Sequence, residues 1–293
     1  MSHSDVWADI AETIAAARGA APATAVQRVG GGDINDAYRF GDYFVKLNTA
    51  DRAEMFAAEA EGLAEMAWVG DGPRVPRVIA RGVAAGRSYL VMDWLDLAAP
   101  REGGWALFGR ALAAMHRCRA DTFGWHRDNT IGTTPQPNPR ETDWVVFFAR
   151  WRLGHQLELA AGNGAPRGLL RDGERLCDDL SGLFTGYTPV PSLLHGDLWG
   201  GNAAFDADGR PVIYDPAVHY GDRECDLALS ELFGAFPRAF YAAYDEAWPL
   251  DAGYPLRRTL YQLYHLLNHF NLFGGPYAGS AHSAVQRLLA ELG

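Results

Sequence analysis

HGDLWGGN (residues 195–202), followed shortly afterwards by VIYD (212–215), is the stretch that decides the fold. In it Asp197 precedes Asn202 by five positions, and Asp215 ends the next apolar run. The turn sequence DADG (206–209) lies between the two apolar runs and predicts a tight hairpin that returns Asp215 to the loop. The stretch therefore predicts that two carboxylates and one amide meet at a single site.

These three groups are the ones that a phosphotransferase using ATP and Mg²⁺ requires. One carboxylate accepts the proton of the attacking hydroxyl, while an amide and a second carboxylate hold the metal over the nucleotide phosphates. On this pattern Asp197 is the candidate catalytic base, and Asn202 and Asp215 are the candidate Mg²⁺ ligands. The alternative for the three residues HGD taken alone is a buried histidine beside a helix-capping aspartate.

The spacing of Asp197 and Asn202 equals that of the protein-kinase catalytic loop, but the surrounding residues differ. Gly196 stands where the usual arginine would be, and the sequence Asp-Pro-Ala (215–217) replaces Asp-Phe-Gly.

Composition excludes several other classes of protein. The chain has 293 residues, of which 48% are hydrophobic and 21% charged, which predicts a soluble globular protein of two lobes or domains. Its net charge of -10 argues against a general nucleic-acid binder, because phosphate backbones require clustered Lys and Arg. No apolar run approaches the ~20 residues that span a bilayer, and the acidic N-terminus is unlike a signal peptide. We therefore expect no membrane contact and no obligate protein partner.

The three cysteines, Cys118, Cys177 and Cys225, are widely scattered. They predict neither a disulfide framework nor a metal site, which favours a reducing, cytoplasmic location.

Lys46 is the sole lysine among 26 basic residues, and all the others are arginine. A single lysine in an arginine-rich chain suggests a site that requires a compact ammonium group and cannot use the planar guanidinium of arginine. The alternative is that one lysine survived by chance.

The first part of the chain predicts a short helix (4–18) and then strands at 24–29, 37–40 and 43–47. The segment GGGDIN (30–35) lies between the first two strands, and a glycine run there allows backbone N–H groups to approach phosphate. Its candidate nucleotide-binding residues are Gly30, Gly31, Gly32 and Asn35. A flexible hairpin turn is the alternative for the glycines taken alone.

A helix is predicted at 55–63, and a kinase N-lobe needs a helix carboxylate to hold the strand lysine. Glu59 is favoured over Glu54, Glu61 and Glu65, because an apolar stripe runs beside it. Two further strands follow, at 78–79 and 89–92, so that five strands and the helix at 55–63 lie between the N-terminal helix and residue 95.

A Pro- and Gly-containing segment at 93–104 predicts a hinge. We expect backbone groups of Met92, Asp93 and Trp94 to bind adenine.

The predicted division is an N-lobe at 1–94 and a mostly helical C-lobe at 95–293. Helices are expected at 105–119, 144–160, 169–184, 224–236, 238–246, 256–270 and 281–292. His116 is expected to be a core or capping histidine.

The sequence resembles the fructosamine (ketosamine) kinases, which are related to aminoglycoside and choline kinases within the protein-kinase-like fold. The resemblance runs over nearly the whole chain. Its motifs are GGGDIN (30–35), FVKLN (44–48), MFxxE (55–59), LAxMH (112–116), NTIG (129–132), PQPN (135–138), WxxFF (144–148), RL (152–153), HGDLWGGN (195–202), DPA (215–217), YGDRECDLA (220–228) and YxxYHLLNH (261–269). Two departures occur: Gly200 replaces a serine found in many members, and Asp33 replaces a cysteine found in some.

The resemblance implies an α+β, bilobal protein-kinase-like fold, with an antiparallel sheet and a helix in the N-lobe and a mostly helical C-lobe. It implies ATP and Mg²⁺ as cofactors and a ketosamine, free or protein-bound, as the substrate, phosphorylated on a sugar hydroxyl, expected to be O3. Phosphorylation is expected to promote loss of the sugar and return of the amine. Lys46 and Glu59 correspond to the phosphate-positioning pair. Asp226 corresponds to an aspartate that braces the catalytic loop.

Trp199, His265 and His269 are candidates for the sugar pocket, although a core or helix-surface role is as compatible with each histidine. Two alternatives stay open at the level of function. One is a phosphotransferase of the same fold that acts on an aminoglycoside or choline, which an acid-rich cleft or an aromatic cage, respectively, would favour. The other is a catalytically silent, nucleotide-binding interaction protein.

Overall fold

The computed structural model describes residues 3–30 and 34–293 of the chain. Its first part is a five-stranded antiparallel sheet with strand order β1-β2-β3-β5-β4. The strands are β1 (Val26–Val29), β2 (Asp36–Phe40), β3 (Tyr43–Thr49), β4 (Val78–Ala84) and β5 (Arg87–Asp93). The prediction of five strands in this part of the chain is confirmed.

Two helices flank this sheet. Helix α1 (His3–Arg18) buries Val6, Ile10 and Ile14 against the sheet, since residues four apart share one face of a helix. Helix α2 (Ala53–Ala67) packs Phe56 and Leu63 into a second core that continues into the rest of the chain. Glu59 lies on α2 and Lys46 on β3, so this packing brings the two side chains together.

The remainder of the chain is mostly helical, with short strands around the catalytic stretch. The helices are α3 (Gly104–His116), α4 (Trp144–Phe148), α5 (His155–Gly162), α6 (Arg167–Asp179), α7 (Glu224–Ser230), α8 (Arg238–Ala247), α9 (Tyr254–Phe273) and α10 (Tyr277–Leu292). The strands are β6 (Leu97–Ala98), β7 (Asn129–Ile131), β8 (Thr134–Gln136), β9 (Ser192–Leu194), β10 (Ala203–Asp206), β11 (Pro211–Ile213) and β12 (His219–Gly221). Among the described residues, no helix is both long and apolar enough to cross a membrane.

The predicted hairpin forms from β10 and β11, which pair antiparallel with Ala203 opposite Ile213. Asp206 accepts hydrogen bonds from the backbone N–H groups of Asp208 and Arg210, at 3.0 and 2.9 Å, and so closes the turn. Gly209 has a φ of 85°, a conformation that glycine adopts without strain. The hairpin therefore returns the chain from Asn202 to Asp215.

Several predicted helices have different bounds. The helix expected at 144–160 is divided into α4, a π-helical turn at Ala149–Gly154 and α5. The helix expected at 224–236 already ends at Ser230, and Gly234, with a φ of 105°, does not have a helical conformation. Helix α9 is longer than the expected 256–270 and extends to Phe273. The division of the chain at residue 94 stays a prediction.

Candidate active site

The catalytic loop begins where β9 ends and folds back on itself at Asn202. Asn202 Nδ2 donates to both the backbone oxygen and Oδ2 of Asp197, at 2.9 and 3.0 Å. Both donors of the amide are thereby directed to Asp197, so its oxygen lies on the opposite side. That oxygen is the atom a hard cation would take as a ligand.

A buried aspartate holds the start of this loop. Asp226 on α7 accepts from the backbone N–H groups of His195 and Gly196, both at 2.8 Å. His116 Nε2 lies 3.1 Å from Asp226 Oδ2, and His116 Nδ1 lies 2.8 Å from the hydroxyl of Tyr244. The predictions that Asp226 braces the loop and that His116 is a core histidine are confirmed by these contacts. Burial raises the pKa of Asp226, but the hydrogen bonds outweigh it and leave the pKa below its usual value.

Gly196 replaces the arginine of protein kinases for a steric reason. Its φ is 80°, and a Cβ at this position would overlap the carbonyl oxygen of Ala217. The catalytic loop and the Asp-Pro-Ala segment are joined there by a hydrogen bond of 2.8 Å from Ala217 N to the backbone oxygen of His195. Only glycine fits this crossing, which places the Asp-Pro-Ala segment directly against the catalytic loop.

Asp215 adopts a conformation that is unusual for its residue type. It has a φ of 59°, and within residues 3–30 and 34–293 Ala85 is the one other non-glycine residue with a positive φ. Such strain costs of order 1–3 kcal/mol and is concentrated at functional sites. It lets Asp215 Oδ1 accept a hydrogen bond of 2.6 Å from Lys46 Nζ.

Lys46 Nζ also donates to Glu59 Oε1 at 2.6 Å, so one ammonium bridges two carboxylates. Lys46 and Glu59 are both buried, whereas the side chain of Asp215 is 44% exposed. Burial lowers the pKa of Lys46, but Asp215 and Glu59 outweigh it and raise the pKa above its ordinary value. The ammonium therefore stays charged.

The other acids of α2 contact different residues: Glu54 and Glu61 pair with Arg127, and Glu65 pairs with Trp125 and Tyr220.

Asp197 is the carboxylate with the clearest perturbation. Burial, followed by the charge of Asp215, raises the pKa of Asp197 to about 7, against the opposing effect of the hydrogen bond from Asn202. A base whose pKa lies near the operating pH combines the deprotonated form with a useful proton affinity. The site therefore holds a carboxylate suited to accepting a proton near neutrality.

These groups face a cleft of about 780 Å³ between the sheet and the helical part of the chain. Its sheet side includes Gly30, Asn35, Phe44 and Lys46. Among the described residues, the acids that line it are Glu59, Asp197 and Asp215.

The opposite end of the cleft carries five aromatic rings, which we call the aromatic wall: Trp199, Phe233, His269, Phe273 and Tyr277. The ring of His269 lies 4.5 Å from that of Phe233, 5.7 Å from Phe273 and 5.1 Å from Tyr277. The rings of Trp199 and Phe233 are 6.4 Å apart. The wall is thus contiguous, and it presents flat apolar surface to whatever enters this end.

The two histidines predicted for a sugar pocket lie in different environments. His269 lines the cleft, and its Nδ1 lies 2.8 Å from the backbone oxygen of His265, so Nδ1 carries the proton and Nε2 can accept. His265 is 4% exposed, does not line the cleft, and burial lowers its pKa to about 3. The sugar-pocket prediction for His265 is therefore corrected: it is a neutral core histidine, because α9 turns this position inward.

The segment predicted to bind adenine does not reach the cleft walls. Met92 is buried in β5, and the N–H groups of Asp93 and Trp94 donate to the backbone oxygens of Arg77 and Asp42, at 3.0 and 2.9 Å. These two donors are engaged within the sheet region, so the other backbone groups of the segment stay predicted for adenine. Gly30 and Asn35 line the cleft, and Gly31 and Gly32 lie outside the described residues.

Sequence reasoning assigned no site role to several lining residues. Asn129 on β7 lines the cleft and donates from Nδ2 to the backbone oxygen of Val218 at 2.8 Å. Asn268 lies on α9 next to His269. Both belong to motifs of the family resemblance, NTIG and YxxYHLLNH, which is the signal that could have identified them. Phe233, Phe273 and Tyr277 carried no such signal.

The residues present fit a Mg²⁺ ion shared with a nucleotide. Mg²⁺ is commonly held by one or two protein oxygen ligands, with phosphates and water completing the shell. Asn202 and Asp215 supply an amide oxygen and a carboxylate on the same cleft, consistent with this requirement. In the part of the chain that the structure describes, no group of three or more His, Cys, Asp and Glu is placed to hold a metal by itself.

The fold and these side chains define a phosphotransferase of the protein-kinase-like class. Two solved structures share this fold at low sequence identity. A choline/ethanolamine kinase family protein from Mesorhizobium loti aligns with a TM-score of 0.59 and 17% identity, covering 97% of this chain and 93% of that one. An aminoglycoside phosphotransferase aligns with a TM-score of 0.61 and 16% identity, covering 94% and 98%. The predicted α+β, bilobal kinase-like fold is confirmed.

The chain belongs to the fructosamine kinase family, whose model matches residues 6–291. It is 46% identical to a protein of Synechocystis sp. named a probable ketoamine kinase, over 97% of each chain. It is 42% identical to a chloroplastic protein-ribulosamine 3-kinase of Arabidopsis thaliana, over 92% of this chain and 84% of that one.

A crystal structure from Haemophilus somnus, provisionally named a fructosamine-3-kinase, aligns with a TM-score of 0.89 and 31% identity over 97% of each chain. The predicted family is therefore confirmed, and the protein is a phosphotransferase with a hydroxyl acceptor.

Proposed function

We propose that this protein transfers the γ-phosphoryl group of ATP to the O3 hydroxyl of a ketosamine sugar, and that Asp197 is the base. The observation that carries the proposal is the placement of Asp197, bonded by Asn202, in a cleft that also holds Asp215 and Lys46, where burial and Asp215 raise its pKa to about 7. The relatives named ketoamine kinase and ribulosamine 3-kinase support this acceptor class.

Asp197 orients the acceptor hydroxyl and takes its proton late in the transfer. Its Oδ2 is held by Asn202 Nδ2, which leaves Oδ1 for the hydroxyl. A secondary alcohol is a weak nucleophile at neutral pH, so most of the rate comes from positioning and charge neutralisation rather than from covalent chemistry by the protein.

Lys46 offsets the negative charge of the nucleotide phosphates. Glu59 fixes the ammonium on the sheet side of the cleft, while Asp215 holds it on the other side. Gly30 and Asn35 contact the phosphates, a role that the sequence also predicts for Gly31 and Gly32, and the backbone groups of the segment 92–94 other than the N–H groups of Asp93 and Trp94 are the candidates for adenine. Asn202 and Asp215 would hold Mg²⁺, which would neutralise phosphate charge on the nucleotide.

The aromatic wall receives the acceptor. Trp199 and His269 both line the cleft, and we assign the indole to stacking on the sugar and His269 Nε2 to accepting a hydrogen bond from a sugar hydroxyl. Phosphorylation at O3 makes the ketosamine unstable, so that the sugar is lost and the amine is restored. The substrate is a free or a protein-bound ketosamine, and we place the reaction in the cytoplasm, where ATP is available.

Choline is the second candidate acceptor, because aromatic faces attract quaternary ammonium groups. The aromatic wall has that character, with four rings besides His269. A polycationic aminoglycoside is less well matched, since the acids among the described lining residues are limited to Glu59, Asp197 and Asp215. A silent nucleotide-binding protein would have lost a catalytic group, and Asp197, Asn202, Asp215, Lys46 and Glu59 are all present.

The test is ADP release by the purified protein with Mg²⁺ and ATP against an acceptor panel. The panel contains ribulose-lysine, fructose-lysine, choline, an aminoglycoside and no acceptor, with Asp197→Asn as the blank. We expect turnover with a ketosamine that disappears in Asp197→Asn.

Turnover with choline or an aminoglycoside alone would contradict the ketosamine assignment but retain the phosphotransfer site. Silence with every acceptor, in a protein that still binds ATP, would favour the silent nucleotide-binding protein instead.

A further inference from the structure

Glu65 on α2 takes no part in the lysine pair but makes two short hydrogen bonds to the helical part of the chain. Its Oε2 accepts from Trp125 Nε1 at 2.6 Å, and its Oε1 accepts from the hydroxyl of Tyr220 at 2.7 Å. Hydrogen bonds to an ionised carboxylate are stronger than those between neutral groups. Both oxygens of Glu65 are thus engaged by donors that lie outside its own helix.

Both donors belong to segments that support the catalytic loop. Tyr220 lies on β12, which pairs with β9, and Tyr220 is opposite Leu193. Strand β9 runs directly into His195 and the loop that carries Asp197. Gly124, next to Trp125, exchanges two backbone hydrogen bonds with Tyr220, at 2.9 and 2.8 Å. Glu65 therefore connects α2 to the strand pair that precedes the catalytic loop.

Helix α2 also approaches the Asp-Pro-Ala segment very closely. A Cβ at Gly62 would lie 2.7 Å from Cγ2 of Val218, a distance that would force one of the two segments to move. Val218 follows Asp215 by three residues. The position of α2, and with it Glu59, is therefore set by contacts with the segment that follows Asp215, and this segment pairs through β12 with the strand that leads to Asp197.

The ion pairs between α2 and this region are more exposed. The side chain of Glu54 is 85% exposed and that of Glu61 is 36% exposed, and both contact Arg127. Exposed ion pairs of this kind contribute little, because water and salt screen them. In contrast, Trp125 is 5% exposed and packs in the core that α2 shares with the helical part.

We propose that Glu65 is a positioning residue for phosphoryl transfer, which ties α2 and the Lys46–Glu59 pair to β12 and thereby to the catalytic loop. This inference rests on the proposed function, in that it assumes a nucleotide whose phosphates are bound by Lys46. Loosening the tie lets Glu59 and Lys46 depart from the catalytic loop, so nucleotide binding and turnover weaken without loss of any group that touches the substrates.

The test uses Glu65→Gln, which keeps the size of the side chain but replaces two charge-assisted hydrogen bonds by neutral ones, because its oxygen accepts from Trp125 and its NH2 group donates to the Tyr220 hydroxyl. We expect the Kd for Mg²⁺ with a non-hydrolysable ATP analogue, measured by calorimetry, to rise about fivefold to tenfold, as loss of the charge assistance in both hydrogen bonds implies. The KM for ATP rises in parallel, whereas the KM for the acceptor changes less than twofold, roughly the scale of noise in such ratios.

Two further variants separate positioning from general stability. Val285→Ala, in the buried face of α10 and remote from the cleft, is the control that lowers Tm without changing nucleotide affinity. Adding Tyr220→Phe to Glu65→Gln removes the hydroxyl that accepts from the new NH2 group, so the double variant binds the analogue more weakly than Glu65→Gln alone.

Unchanged nucleotide affinity in Glu65→Gln, or an equal loss in Val285→Ala at the same Tm shift, would overturn the role of Glu65. If Glu65→Gln does not fold, Tyr220→Phe alone carries the test, with a smaller rise in Kd expected and an unchanged Kd counting against the role. A wild-type protein that binds no nucleotide would instead overturn the proposed function.

Discussion

The two ends of the cleft are built on different physical principles. The end with Asp197, Asn202 and Asp215 is polar, and its side chains are fixed by short hydrogen bonds and by the buried Lys46. The end with the aromatic wall presents rings that touch one another, and two of them, Trp199 and Phe273, are 38% and 58% exposed. Charged side chains that are held in fixed positions suit phosphoryl transfer. An open aromatic surface suits recognition of acceptors of different sizes.

This contrast predicts that substitutions at the two ends change different kinetic constants. Changes at the polar end lower kcat or weaken ATP binding, and changes at the aromatic wall raise the KM of the acceptor. The predictions that follow run from the largest expected effect to the smallest.

Asp197→Asn removes the base but keeps the shape of the side chain. We expect kcat to fall by about 10³-fold, within the range for loss of general base catalysis. Nucleotide affinity, measured by calorimetry, stays within about twofold of wild type, because the substitution leaves Lys46 and Asp215 in place. Retention of more than a tenth of the wild-type kcat would show that another group takes the proton.

Lys46→Arg tests whether the single lysine of the chain is replaceable by another cation. The ammonium is buried between Glu59 and Asp215, and a planar guanidinium cannot donate to both at 2.6 Å without moving one of them. We expect kcat/KM for ATP to fall by about 10²-fold, the scale for loss of one preorganised electrostatic contact. Full activity in steady-state assays would mean that the two carboxylates move freely.

Phe273→Ala tests the aromatic wall. Loss of one ring is expected to raise the KM of the ketosamine about tenfold, since aromatic contacts contribute about 0.5–1.5 kcal/mol beyond their buried area. The KM for ATP stays unchanged. Trp68→Ala is the matched control, because Trp68 is 89% exposed and does not line the cleft. An equal rise in the KM for ATP would contradict the separation of the two ends.

The pH dependence of kcat/KM reports on Asp197 in the free enzyme. With its pKa raised to about 7 by burial and by Asp215, the carboxylate becomes protonated as the pH falls, and the protonated form cannot act as a base. We expect kcat/KM for the ketosamine to be level above pH 8 and to approach a tenfold loss for each pH unit well below 7, which is about the behaviour of a single titrating group. A flat profile between pH 8 and 6 would contradict the assignment.

The same two ends differ in how much of them the sequence predicts. Asp197, Asn202 and Asp215 lie within one short stretch, and the DADG turn fixes their return, so local spacing was sufficient to bring them together. The Lys46–Glu59 contact was also predicted, because a kinase N-lobe needs a helix carboxylate to hold the strand lysine and an apolar stripe runs beside Glu59. These inferences depend on short-range rules of turns and helix faces.

These short-range rules could not predict the aromatic wall. It is assembled from the catalytic loop, the segment after α7, helix α9 and helix α10, and no local pattern states that these four regions meet. His265 shows the same difficulty on a smaller scale. It lies four residues before His269 on α9, yet only His269 reaches the cleft, because the helix passes from the core to the surface of the cleft over that turn.

The segment predicted to bind adenine also has one feature that the sequence could not predict. Met92, Asp93 and Trp94 lie at the expected place in the chain, but two of their N–H groups are already bonded to Arg77 and Asp42. Which donors in a strand end are free depends on the register of neighbouring chain segments, and that register is set by the whole sheet.

The most direct test of the central claim is a ³¹P NMR spectrum of wild-type protein incubated with Mg²⁺, ATP and ribulose-lysine labelled with ¹³C in the sugar. The account predicts a new phosphate monoester coupled to C3 of the sugar, followed by release of lysine, and no such signal with Asp197→Asn. A monoester coupled to another carbon, or ADP formation with the ketosamine unchanged, would contradict it.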